Sequence, residues 1–156
     1  MATKKMAIIA TKGALDMAYP PLILASTAAA LGWDVQIFFT FYGLQLLRKD
    51  LSGIEISPVG NPAMPMPVPM PVIVSVLPGM QAMATSMMKA KMKKKGVASL
   101  EELRALCQEA DVKFVACQMT VDLFEFSKSD FIDGIEYGGA ATFMKFAGET
   151  DVCLFI

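Results

Sequence analysis

The sequence predicts an α/β protein, a mostly parallel sheet with helices on its faces, and three observations predict it. Met6–Thr11 is a short continuous apolar run closed by Lys12 and Gly13, the pattern of a strand buried on both faces. Asp34–Phe41 is a second such run, rich in β-branched and aromatic residues. Between them a helical stretch, Leu22–Leu31, stops at Gly32, so the order is strand, helix, strand. Parallel strands joined in this way need a right-handed crossover, which lays the helix on a face of the sheet. The chain's 156 residues suit one domain, and 54% apolar against 19% charged residues exclude a disordered chain. With a mean hydropathy of +0.49, part of the surface should be covered by something else.

The remaining elements follow in order. Asp16 can cap the first helix, with Pro20 and Pro21 confined to its first turn, because a proline farther in removes a hydrogen bond. Gly43 opens a short amphipathic segment through Leu44, Leu47 and Arg48, and Gly53–Val59 has the makings of another short strand. The composition then changes. Seven of the nine prolines fall between Pro58 and Pro78, and no charged residue occurs from Ile56 to Met88. The uncharged stretch is long enough for a bilayer, but a proline at every second position from Pro65 to Pro71 rules out a spanning helix. It reads as an extended arm followed by a helix from Gly79 or Met80, together an insertion of roughly 60–95 in a single 1–156 domain. In that helix Met80, Met83, Ala84, Met87 and Met88 form a stripe, with Lys89, Lys91, Lys93, Lys94 and Lys95 at its end. Two readings stay open: packing on the protein's own core or a neighbouring subunit, or contact with a partner or an anionic membrane surface.

Ser99 and Glu102 form a capping box, followed by a helix with Leu100, Leu103, Leu106, Cys107 and Ala110 on one face. Lys113–Cys117 is a further buried strand, Gln118 and Met119 a tight turn, and Thr120 the cap of a helix reaching Phe124. A short helix near Ser129–Ile132, a helix over Ala140–Ala147 after two glycines, and a last strand over Asp151–Ile156 complete the chain.

The chemistry is narrowed by what is missing. The chain has no histidine, which removes the commonest general base and metal ligand and every Ser-His or Cys-His pair. A net charge of -1 gives no global attraction for nucleic acid, and there is no GxGxxG or P-loop to hold a nucleotide. The carboxylates make no pattern that specifies a metal or an acid–base pair, so no metal or organic cofactor is expected. Three cysteines at spacings foreign to zinc ribbons and CxxC pairs point to free thiols in a reducing compartment. The apolar run near the start is too short for a secretory signal, so a cytoplasmic location is expected. Of the thiols, Cys117 is the best placed, at the carboxyl end of a strand and just before a helix whose N-terminal amides favour thiolate. Lys12, in the loop after the first strand, is a candidate second source of positive charge, and Thr120 a supporting residue. Cys107 and Cys153 read as core residues.

An ordered set of segments carries a family resemblance: Asp16–Ala25 (DMAYPPLILA), Phe38–Leu44 (FFTFYGL), the Pro/Met run into Leu77–Met80 (LPGM), Ala116–Thr120 (ACQMT) and Asp133–Thr142 (DGIEYGGAAT). Together they resemble the DsrE/DsrF-like family of sulfur-relay proteins, in particular its branch with a long apolar insertion, sometimes called peroxiredoxin-like. The resemblance implies a flavodoxin-like three-layer sandwich that forms homo-oligomers. It also implies a cysteine, Cys117 by position, that holds sulfane sulfur as a persulfide between rhodanese-like donors and TusA-like acceptors. Some members of the branch look membrane-associated, which would place a peripheral membrane contact within 62–95. Two alternatives remain beside the carrier: a thiol redox protein using Cys117, and a non-catalytic oligomeric module that binds through the Pro/Met arm.

Overall fold

The expected apolar runs become strands. The computed structural model describes residues 2–58, 63, 65, 67–68 and 71–156. Within these residues β1 (Lys5–Ala10), β2 (Asp34–Phe39), β3 (Lys113–Cys117), β4 (Glu136–Gly138) and β5 (Val152–Phe155) form one sheet in the order β4-β3-β2-β1-β5. Every strand pairing is parallel. The short β4 has no apolar run of its own; its backbone pairs Glu136, Tyr137 and Gly138 with Val115, Ala116 and Cys117.

Crossover handedness decides which face is covered. The chain steps from β1 to β2 through α1 (Leu15–Ala30) and from β2 to β3 through a connection ending in α3 (Leu100–Glu109), always in the same direction. Both helices therefore lie on one face, where Ile8, Ile37, Phe39 and Phe114 meet Ala18, Leu22, Leu103 and Cys107 in the main core. Only the return from β4 to β5 runs the other way, and it puts α5 (Ala140–Ala147) on the second face, over Ala7, Phe38, Val115 and Cys117. There Phe143 stacks on Phe38 at 4.9 Å. An eight-residue helix is about 12 Å long, whereas four strand spacings span about 19 Å, so α5 leaves part of this face bare. The result is a three-layer sandwich with one thin layer.

Several boundaries differ from expectation, each for a physical reason. The first helix starts at Leu15 with Ala14 as its N-cap, and both Pro20 and Pro21 lie inside it. The hydrogen bonds they forgo are offset by close packing of Leu15, Ala18, Tyr19 and Leu22. Asp16 does not cap; its carboxylate accepts from Ser57 N at 2.7 Å and Ser57 Oγ at 2.8 Å. No strand forms over residues 53–58, and Val59 lies outside the described residues. The segment opened near Gly43 is a 3₁₀ turn, Phe41–Leu47, held at its end by buried Arg104, which donates to the carbonyls of Leu46 (2.9 Å) and Arg48 (2.6 Å). The buried stripe of α3 is Leu100, Leu103, Arg104 and Cys107, and Leu106, about 200° around the helix from Arg104, is exposed. The Ser99–Glu102 capping box forms as expected.

Of the proposed arm, described residues 72–76 form a 3₁₀ turn and α2 spans Met80–Lys94. Its methionine stripe is divided. Ala84, Met88 and Met92 pack against the main core, while Met83 and Met87 face outward. Among the described residues, no helix is long and apolar enough to cross a membrane.

Candidate functional site

Two neighbouring parallel strands end at the same edge, and this brings together what the sequence holds far apart. The register aligns Phe39 of β2 with Ala116 of β3, so the next residues, Thr40 and Cys117, are neighbours across the sheet. No tight turn follows β3. Instead α4 (Gln118–Leu123) starts at once, with Cys117 itself as N-cap, and Thr120 sits inside the helix rather than capping it. One helical turn carries the fully buried Thr120 back to the thiol. Its Oγ1 lies 3.2 Å from Thr40 Oγ1 and accepts from Phe41 N at 3.3 Å. Phe41 adopts φ +49°, a strained conformation for a non-glycine residue, and this aims its amide at Thr120.

Cys117 is only 5% exposed and lies among Ala7, Phe38, Val115 and Phe143. Burial works against the thiolate, but the hydroxyls of Thr120 and Thr40 and the amides of Thr120 and Met119, all near the sulfur, outweigh it. The net effect holds the thiol below the ordinary cysteine value. Stabilisation thus comes from neutral donors. Lys12 is exposed, beside Tyr42 and Gln45 at the same sheet edge. Around the thiol the surface is apolar: Phe41, Tyr42, Met119 and Leu123 are exposed, with Phe124 stacked on Tyr42.

The other thiols differ. Cys107 is fully buried between α1 and α3, donates to the Leu22 carbonyl at 3.3 Å, and is pushed by burial up to about 11. Cys153, expected in the core, is exposed. It sits on the edge strand β5 and points to the face that α5 only partly covers, beside exposed Phe155. Among the described residues, no cluster of three or more His, Cys, Asp or Glu could hold a metal ion. A hollow of about 520 Å³ between α1, α2 and α3 shares no residue with the Cys117 site and mixes Lys89 and Lys93 with Glu101 and Glu102.

Alkylation should separate Cys117 from Cys107. The rate at Cys117, followed by peptide mass, should rise through a midpoint below the ordinary cysteine value of about 8.5 and change little with salt, since neutral donors are not screened. Cys107 should react only on unfolding. A midpoint at or above the ordinary value, or one that salt moves strongly, would contradict the neutral-donor account. The sign for stability follows: the depressed value favours the fold above the ordinary thiol pKa, and this contribution is lost as pH falls through the lowered one.

Thr40 and Phe41 were not singled out as site residues from the sequence. The available signal was positional, since Thr40 ends an apolar run whose parallel neighbour ends in Cys117.

Comparison with known proteins agrees with this architecture. Residues 2–155 match the DsrE/DsrF/DrsH-like family, and the chain belongs to it. It is 68% identical to the sulfur carrier protein DsrE2 of Allochromatium vinosum, covering 100% of both chains. It is 35% identical to the Bacillus subtilis protein YrkE, covering 99% of this chain and 98% of that one. The crystal structure of the ychN protein from E. coli superposes with a TM-score of 0.56 over 99% of this chain and 100% of that chain, at 13% identity, a likeness of fold.

Proposed function

We propose that this protein is a sulfur carrier that holds sulfane sulfur as a persulfide on Cys117 and passes it between protein thiols. The observation that carries this reading is a strand-end thiol beside the Thr40 and Thr120 hydroxyls, held below the ordinary cysteine value by neutral groups, in a chain 68% identical to a named sulfur carrier. Loading is attack of the Cys117 thiolate on the outer sulfur of a donor persulfide, which releases the donor thiolate. Unloading is attack of an acceptor thiolate on the outer sulfur at Cys117, which returns the electron pair to Cys117 Sγ. Neither step needs a histidine, a metal or an organic cofactor. The family relationship favours a rhodanese-like donor and a TusA-like acceptor, docking on the apolar rim of Phe41, Tyr42, Met119 and Leu123. Three free thiols suit the reducing cytoplasm.

Thiol spacing favours this reading over the redox alternative. Cys153 pairs with Ala7, Ala7 with Gln36, and Gln36 with Lys113, so Cys153 is level with Lys113, three strands away. That is about 14 Å across the sheet, with a further 13 Å or so along β3 to Cys117, far beyond disulfide reach. Cys107 lies on the opposite face of the sheet. A resolving thiol within the chain would therefore require the sheet to come apart. To test the reading, reduced protein is incubated with polysulfide or a loaded rhodanese and digested. A gain of about 32 Da on the Cys117 peptide, reversed by reductant, is expected from thiol–persulfide exchange; no gain from any donor, in folded protein, would overturn it.

The same reading takes 1–156 as one domain with an insertion at roughly 60–95, and assigns residues 62–95 a peripheral contact with anionic membranes. Val72, Ile73, Val76, Leu77, Met83 and Met87 are exposed, and from Ser57 to Leu100 there are five lysines and no acidic residue. The protein should float with vesicles containing anionic lipid, less so at high salt, and not with neutral vesicles. Failure to float with anionic vesicles removes the contact. Homo-oligomerisation is assigned to the bare part of the second sheet face, where Phe155 and Met144 are exposed.

A further inference from the structure

The two hydroxyls beside Cys117 are within hydrogen-bond distance of each other. Thr120 Oγ1 accepts from the Phe41 amide at 3.3 Å, so its own proton is available to the Cys117 sulfur. Thr40 Oγ1, 3.2 Å from Thr120 Oγ1, can donate to Thr120 or to the sulfur, and in either case it adds positive hydrogen character on the side where Sγ carries charge. Thr120 has no exposure, so the hydroxyl pair beside the sulfur is shielded from water. Thr40 is held in place from three sides: its amide donates to the Ala10 carbonyl at 3.1 Å, its carbonyl accepts from Gly43 N at 3.0 Å, and Arg104 fastens the end of the 3₁₀ turn that follows.

We propose that Thr40 is a positioning residue which, with Thr120, stabilises the negative charge returning to Cys117 Sγ when the outer sulfur leaves, so that the site is weighted toward giving sulfur away. The inference rests on the carrier reading and assigns its direction. In unloading, the bond between Cys117 Sγ and the outer sulfur breaks, the attacking nucleophile keeps the outer sulfur, and the electron pair stays on Sγ. Hydrogen bonds aimed at Sγ make it a better leaving group and speed this step. In loading, the same bonds increase the thiolate fraction but blunt its nucleophilicity, so the two effects partly cancel. Thr40 should therefore matter more to release than to uptake.

The test uses the full chain as wild type, Thr40→Val and Thr40→Ser, with folding checked by circular dichroism and thermal melting. Each protein is loaded with polysulfide and discharged with cyanide, which takes the outer sulfur as thiocyanate and leaves the Cys117 thiolate. Thr40→Val should discharge about three- to tenfold more slowly, with a smaller change in loading rate, and Thr40→Ser should stay near wild type. The midpoint of Cys117 alkylation against pH should rise in Thr40→Val and not in Thr40→Ser. Equal slowing by both substitutions, or no slowing by valine, overturns the assignment. If valine fails to fold, Thr40→Ala replaces it with the same expectations. If even wild type takes up no sulfur, the carrier reading and the assigned direction fail together, and the alkylation midpoints then decide separately whether Thr40 acts on the sulfur.

Discussion

Cys117→Ser is expected to reduce sulfur uptake from polysulfide or a loaded donor to background, a loss of about two orders of magnitude or more, because a hydroxyl is not ionised where a thiol is. The fold should persist. Serine is smaller than cysteine and can hydrogen-bond with the neighbouring Thr40 and Thr120 hydroxyls, so the stability change should be about 1 kcal/mol in a urea titration. Intact and peptide masses after donor treatment, read beside the melting temperature, separate loss of the acceptor from loss of the fold. The same variant discriminates between functions. A module acting through residues 60–95 would keep its binding, whereas a carrier loses sulfur but still docks. Sulfur appearing on Cys107 or Cys153 of the serine variant at the wild-type rate would move the site elsewhere.

Gly43→Ala should have the largest effect on stability, about 3 kcal/mol or more. A Cβ at Gly43 would overlap the Ala10 carbonyl oxygen and stand 2.8 Å from its carbon, and both are backbone atoms at the end of a central strand. A flexible side chain could move aside; this carbonyl cannot, because it is the acceptor for the Thr40 amide. The consequence reaches the site. Pushing Ala10 and the 3₁₀ turn apart displaces Thr40 and Phe41 from Thr120, so the Cys117 alkylation midpoint should rise even where enough folded protein remains to measure. An unchanged urea midpoint with an unchanged alkylation profile would mean that the turn has room not apparent in the structure. The glycine matters here for the space it leaves rather than for a left-handed conformation.

How far the site can be read from the sequence depends on the range of the interaction that builds it. β1, β2 and β3 are short apolar runs, and runs of that kind are strands wherever they pair, so their extents were legible within a residue or two. The Ser99–Glu102 box reads as a helix start because its two hydrogen bonds span three residues. Cys117 stood out for a similar reason: strand end and helix start are both local. Thr120 was legible as a residue near the cysteine but not in its role, since a cap and a helix-interior hydroxyl differ by where the helix begins.

Other features required the assembled sheet. β4 is held by pairing with β3 and carries no apolar pattern to read. The prolines of α1 argue locally against the helix that contains them, and packing on the sheet overrules them. Cys153 looks like core in an apolar strand and is exposed because β5 is an edge under a helix too short to cover it. By itself, the sequence determined the α/β class, the main strands, and the thiol that stands at a strand end, because each is written in contiguous residues and their periodicity. Only the tertiary structure decided that Thr40 stands beside Cys117, that Lys12 lies against Tyr42 and Gln45, and that the remaining thiols are out of reach. Strand order and crossover direction set those distances, and they emerge from contacts between segments far apart in the chain.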